Sequence, residues 1–189
     1  EFKEMLLYET TVGPLNVAEE AIETALYDVI GKALDTPIYN LFGGLQRDKF
    51  PVDWIIGIDL DPKPTGEQAA LFAGKGHKVI KLKAGVDSEK DIARVRAVRE
   101  AVGPDVKIKV DWNQALSPKK AVKVIERMDE YDLYMAEQPT PGWDLNGMTY
   151  LRNNVSVPIL ADESIWTAHD AMKIIQAEAA DAFFLYIFK

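Results

Sequence analysis

From Pro51 onward, six short apolar runs recur along the chain, each separated from the next by an amphipathic stretch. They are 52–58 (VDWIIGI), 78–83 (KVIKLK), 107–111 (KIKVD), 133–137 (LYMAE), 158–162 (PILAD) and 181–187 (DAFFLYI). The runs are rich in branched and aromatic residues and mostly apolar on both faces, as strands buried in a parallel sheet are. Parallel neighbours have to be joined by crossovers, so the alternation predicts an α/β fold built from successive βα units.

The intervening stretches carry helix punctuation. Ser88 is placed as the cap of a helix whose stripe is Ile92, Val95, Val98 and Val102, ended by Gly103-Pro104. Ser117 followed by Pro118 reads as an N-cap with proline in the first turn. Thr167 is expected to cap a helix carrying Ala171, Ile174 and Ile175, and further helices are expected over 66–74 and 144–154. Before Pro51 the pattern changes to one long helix over 17–34, with Ala21, Ala25, Leu26, Val29 and Ile30 on its buried side. Six strands fall short of the eight of a closed (β/α)8 barrel, which takes about 250 residues. A chain of 189 residues is therefore expected to be part of a longer protein, with a partial barrel that is inactive alone.

Function in parallel α/β proteins gathers at the carboxyl ends of the strands. Asp111, Glu137 and Asp162 each end a predicted strand, 26 and 25 residues apart. A single acid there is as readily a helix cap or a lysine partner. Three in successive units, with no Cys in the chain, point instead to a hard cation such as Mg²⁺ bound by oxygen. Lys81 and Lys83 are two apart in VIKLKAG and so face the same side of their strand. Beside three carboxylates, one lysine can hold a ligand or substrate carboxylate while the other accepts a proton. Asn113 and Gln138 are candidates for orienting these groups, and Glu163 for pairing with a lysine. His77, His169 and the four tryptophans read as structural, although Trp54 has the option of lining the pocket.

Composition narrows the partners. A net charge of −8 argues against nucleic-acid binding, and no apolar stretch approaches the length of a membrane span. The N-terminal EFKEMLLYE lacks the basic-then-apolar pattern of a signal peptide, and the absence of Cys suits a reducing compartment. A cytoplasmic protein acting on a small molecule is the expectation.

The motifs in their order resemble the enolase superfamily, in its mandelate racemase/muconate lactonizing enzyme branch. AIETALYDVIGKALDTPIYNLFGG looks like the segment joining that family's capping domain to its barrel. VIKLKAG looks like its KxK strand, and VDWNQ, AEQPT and ADES like its three metal-ligand motifs. The resemblance implies that 1–50 is the end of a capping domain with its linker helix and that 51–189 is the first six strands of a TIM-type barrel. It implies Mg²⁺ ligands Asp111, Glu137 and Asp162, with Lys83 as the base and Lys81 supporting it. Abstraction of the proton α to a substrate carboxylate, giving an enediolate, is the implied chemistry. A small carboxylate is then the expected substrate, and a homo-oligomer the expected state of the full-length protein.

The chain departs from the pattern at its end. Tyr186 in LYIFK stands where related sequences place a second lysine, and Phe188 replaces a small residue. Tyrosine can donate a proton or hydrogen bond but is a poor base, which favours a one-base reaction such as dehydration over two-base racemisation. Two other classes remain open: a barrel aldolase with Lys83 as a Schiff-base lysine, and a non-catalytic metal-binding module. Borohydride trapping marks the first, and metal binding without proton exchange the second.

Overall fold

A computed structural model describes residues 16–186, with side chains from residue 20. These residues form two compact units, 51–184 and 16–50 together with 185–186. In the larger unit the strands are β1 (Trp54–Ile56), β2 (Val79–Lys83), β3 (Lys107–Asp111), β4 (Leu133–Glu137), β5 (Ile159–Ala161) and β6 (Ala182–Phe183). All pairings are parallel and the sheet order follows the sequence, β1-β2-β3-β4-β5-β6. The second and fifth predicted runs begin one residue later than expected, and the fifth also ends one earlier. β1 and β6 are much shorter than their runs, and among the described residues each has a neighbour on one side only. Ile187, which closes the last predicted run, and Phe188 lie outside the described residues.

Helix α1 (Asn16–Ala33) belongs to the smaller unit. The larger unit carries α2 (Pro62–Gly74), α3 (Ser88–Val102), α4 (Pro118–Asp129), α5 (Leu145–Arg152) and α6 (Ala168–Gln176), one between each pair of strands. Their buried faces meet one side of the sheet. Ile80, Leu82, Ile108, Val110, Ala136 and Ile159 supply the strand side of this core. Val95, Val98, Ile125, Met128, Leu151 and Ile174 supply the helix side. Helices α2 and α3 pack closely at Gly66, where a Cβ would lie 2.8 Å from the Ala97 carbonyl oxygen.

Several local expectations need correction. Asp87, not Ser88, caps α3: its carboxylate accepts from the backbone N–H groups of Glu89 and Lys90, and Ser88 is the first helical residue. Ser117 is the N-cap residue of α4 but makes no side-chain cap bond. Trp54 does not line the site. It begins β1, at the opposite end of the sheet from the carboxylates, and stacks on Phe72. The predicted buried stripe of α1 is exposed at Ala21, Ala25, Leu26, Val29 and Ile30. That helix instead turns Tyr27 and Gly31 towards the short 3₁₀ helix Ile38–Phe42, with the Tyr27 and Phe42 rings 4.8 Å apart.

Thr167 caps α6 as expected, within a reciprocal capping box completed by Asp170. Burial raises the Asp170 carboxyl, but hydrogen bonds from Thr167 and the Trp166 N–H outweigh it and hold the group below its ordinary range. A depressed folded-state value stabilises above the unfolded value of about 4 and is lost as pH falls through the lower folded value. Asp170→Asn is therefore expected to destabilise by about 1 kcal/mol at neutral pH, a deficit that shrinks below about pH 4. Urea denaturation of both proteins across pH 2–7 checks this (the range is set roughly by the carboxylate values).

Candidate metal and proton-transfer site

The register brings the chemistry to one level. Lys83 pairs with Asp111 across β2 and β3, and Asp111 pairs with Glu137 across β3 and β4. Beyond the strand ends, Ala84 N–H donates to the Asp111 carbonyl, Trp112 N–H to that of Glu137, and Gln138 N–H to that of Leu160. These bonds extend the ladder into the loops and align the ends of four consecutive strands, β2 to β5. Because strand side chains alternate, Lys81, Lys83, Lys109, Asp111 and Glu137 all project from the face away from the helices.

On that face Asp111, Glu137 and Asp162 converge, each offering a carboxylate oxygen, with the three oxygens within 4.8 Å of one another. All three residues are buried. Lys81 Nζ lies 2.8 Å from Asp111 Oδ2 and 2.5 Å from Glu137 Oε1. Lys83 Nζ donates to Asp111 Oδ2 and to Asn113 Oδ1, both at 2.7 Å. The two lysines differ in access, with the Lys81 side chain 5% exposed and that of Lys83 34%. Only Lys83 combines contact with the carboxylates and an open approach.

A third lysine completes the floor. Lys109 Nζ lies 2.6 Å from Asp53 Oδ2 and 3.5 Å from Glu137 Oε2. The Phe184 ring centroid is 5.2 Å from the ammonium groups of both Lys81 and Lys109, within cation–π range. Sequence reasoning passed over Lys109, although it stands two residues before Asp111 and shares its face. Asp53 precedes β1 and has no pattern to mark it. Asn113 donates from Nδ2 to Glu163 Oε1 at 2.8 Å, so among the described residues Glu163 pairs with this amide and with no lysine. Strand β5 ends at Ala161, so Glu163 is free of the alternation that would have turned it away.

Burial by itself would raise the Asp111 carboxyl, but hydrogen bonds from Lys81 and Lys83 overcome it and hold the group below its usual range. Glu137 goes the other way: burial, then the neighbouring Asp111 charge, push it up against the pull of Lys81. Burial would lower the Lys81 ammonium, but its bonds to Asp111 and Glu137 raise it. Two like-charged carboxylates forced together in a buried site are the arrangement a bound cation relieves. Glu137 Oε2 is buried and, with Lys109 Nζ 3.5 Å away, accepts no hydrogen bond from the described residues. An all-oxygen donor set with one oxygen still unsatisfied suits Mg²⁺.

Two further features hold this end of the sheet, the backbone of the candidate orienting residues and a buried arginine. Asn113, Gln114 and Gln138 adopt positive φ of 42°, 71° and 35° in the loops after β3 and β4. Such conformations cost non-glycine residues about 1–3 kcal/mol each and gather at functional sites. Arg94 on α3 is 1% exposed and donates to the Lys83 carbonyl at 2.7 Å, to Gly57 O and to Thr65 Oγ1, with Asp91 3.5 Å away. It ties the end of β2 to the loop after β1. Arg94→Met is expected to lower stability by about 3–5 kcal/mol, since it leaves buried carbonyls and Asp91 without their cation. Equilibrium urea denaturation reads this directly.

Comparison with known proteins shows the family. Residues 65–189 match the family described as enolase C-terminal domain-like. Residues 2–43 match the mandelate racemase/muconate lactonizing enzyme N-terminal domain. The chain belongs to the mandelate racemase/muconate lactonizing enzyme branch of the enolase superfamily. The hydrophobic dipeptide epimerase of Enterococcus faecalis is 38% identical over 172 residues, covering 91% of this chain and 48% of that protein. The N-succinyl-L-Arg/Lys racemase of Bacillus cereus is 32% identical over 176 residues, covering 93% and 47%. The crystal structure of the E. faecalis dipeptide epimerase, complexed with Mg and the dipeptide L-Leu-L-Tyr, superposes with a TM-score of 0.77 at 38% identity. It covers 83% of this chain and 44% of that one. The chain thus spans about half the length of the relatives it matches, and its six strands are part of a TIM-type barrel of this superfamily.

Five of the six predicted site residues, Lys81, Lys83, Asp111, Glu137 and Asp162, come together in the larger unit. Tyr186 belongs to the smaller unit and is 38% exposed.

Proposed function

We propose that Asp111, Glu137 and Asp162 hold Mg²⁺ and that the intact protein uses this site to enolise a small carboxylate, with Lys83 as base. The observation that carries the reading is the convergence of three buried carboxylates within 4.8 Å, with the accessible Lys83 ammonium 2.7 Å from one of them. When bound there, Mg²⁺ supplies concentrated positive charge for the enediolate that proton removal creates.

The chain's own residues do the rest. In its neutral form Lys83 Nζ takes the α-proton: the C–H bond breaks, an N–H bond forms, and the electron pair passes into the carboxylate-conjugated enediolate. Lys81 stays protonated between Asp111 and Glu137 and fixes their orientation. Lys109 adds a cation below Glu137 without reaching the open side. Asn113 presents its carbonyl oxygen to Lys83, because Glu163 can only accept and so draws the amide nitrogen to itself.

The named relatives act on a dipeptide and on N-succinylated amino acids, which supports N-substituted amino acids as the substrate class. Their epimerase and racemase activities support inversion at the α-carbon. Tyr186 in place of a second lysine supports a one-base reaction such as dehydration instead. Incubation of the intact protein with Mg²⁺ and a panel of dipeptides, N-succinyl amino acids and hydroxy acids in D₂O tests the proposal. Epimerisation is expected to give an inverted product with solvent deuterium at the α-carbon. Dehydration of a 2,3-dihydroxy acid is expected to expel the β-hydroxyl as water and give a keto acid with deuterium at the former β-carbon. Absence of both α-exchange and keto-acid formation across the panel would remove the enolisation reading. Among the described residues no helix is long and apolar enough to cross a membrane.

A further inference from the structure

Gln138, the residue after Glu137, is wholly buried and has a left-handed backbone. Its side-chain Oε1 accepts from the backbone N–H of Asp162 at 2.8 Å and from that of Ser164 at 3.2 Å. Its Nε2 donates to the Thr140 carbonyl at 2.9 Å and to Ser164 Oγ at 2.8 Å. The amide has only this orientation available, since one end meets two N–H donors and the other a carbonyl. The backbone of the same residue donates to the Leu160 carbonyl and accepts from Gln114 N–H at 2.8 Å. One residue therefore joins the loops that follow β3, β4 and β5, the three that carry Asp111, Glu137 and Asp162.

We propose that Gln138 is a positioning residue for the cation site, holding Asp162 at the distance from Glu137 at which both can ligate one ion. The inference rests on reading the three carboxylates as a Mg²⁺ site. Strand β5 ends at Ala161, before Asp162, so the strand ladder does not place this third carboxylate. The Asp162 backbone N–H is fixed instead by the Gln138 amide, which is itself fixed next to Glu137. Without it, the backbone bond from Gln138 N–H to the Leu160 carbonyl remains, but Asp162 loses the side-chain bond that ties it to the loop after β4.

The test is Mg²⁺ titration calorimetry on the chain, with Gln138→Met chosen because it keeps the length and removes the hydrogen bonds. Mg²⁺ affinity is expected to fall about tenfold or more, as loss of an orienting partner does. In an Asp162→Asn background the same change is expected to alter affinity by less than about twofold, since Gln138 acts through Asp162. A purely structural role would weaken both backgrounds alike, and that result overturns the proposal, as does unchanged affinity in Gln138→Met alone. If Gln138→Met does not fold, Ser164→Ala removes one acceptor of the amide and leaves Gln138 in place. Weakened Mg²⁺ binding there supports the proposal, and unchanged binding overturns it. Full Mg²⁺ affinity in Asp162→Asn itself would overturn the underlying cation-site reading, a failure separable from that of Gln138 because Gln138 is intact.

Discussion

Lys83→Met is expected to reduce α-proton exchange by the intact protein by about 10²–10⁴-fold, the contribution of a positioned general base. The same substitution is expected to leave Mg²⁺ affinity equal or higher. Lys83 Nζ sits 2.7 Å from Asp111 Oδ2, so its ammonium competes with a cation for that oxygen. Removing it deletes a like charge from the site while Lys81 still holds Asp111 in place. Opposite movements of exchange rate and metal affinity distinguish a base from a residue that merely supports the fold. Exchange followed by NMR in D₂O and calorimetry with Mg²⁺ alone supply the two readouts.

Glu137→Gln is expected to act in the other direction on the metal, weakening Mg²⁺ by more than the about 10–100-fold typical of losing an orienting partner. Glu137 is fully buried, lies 2.5 Å from Lys81 and 3.5 Å from Lys109, and keeps Oε2 free of hydrogen bonds. An amide in its place gives up a charged oxygen ligand and leaves two lysines facing a neutral group. Breaking a buried charge pair in this way costs about 3–5 kcal/mol of stability. Mg²⁺ is therefore expected to raise the melting temperature of the parent chain and to have little effect on that of Glu137→Gln. Thermal melts with and without Mg²⁺ measure both quantities together.

Much of this site was legible in the sequence because strand alternation is a strict code. The spacing of Lys81 and Lys83, and the placing of Asp111, Glu137 and Asp162 at the ends of apolar runs, predicted a shared face. The register puts Lys81, Lys83, Asp111 and Glu137 on it, and Asp162 reaches them from the loop after β5. The runs 107–111 and 133–137 coincide with β3 and β4, the central strands that are hydrogen-bonded on both sides. The runs overshoot most at β1 and β6, which have one neighbour each among the described residues, and by one residue at the start of β2 and at each end of β5. Groups that act across the fold left no local trace. Arg94 sits next to the apolar stripe of its helix and belongs to no motif, yet its guanidinium is enclosed because three backbone or side-chain oxygens from other elements meet it there. Lys109 and Asp53 are far apart in the chain and find each other only once β3 and the approach to β1 are brought together. The stripe on α1 shows the reverse failure: apolar periodicity marks a face able to be buried, while the contact the helix makes with its own 3₁₀ helix uses Tyr27 and Gly31.

The central claim is that Asp111, Glu137 and Asp162 form one cation site. Mg²⁺ titration calorimetry of the parent chain and of the triple variant Asp111→Asn/Glu137→Gln/Asp162→Asn tests it most directly. The account predicts saturable binding of a single ion to the parent and none to the variant. Binding of equal stoichiometry and affinity in both, or no saturable binding to the folded parent chain, would contradict it.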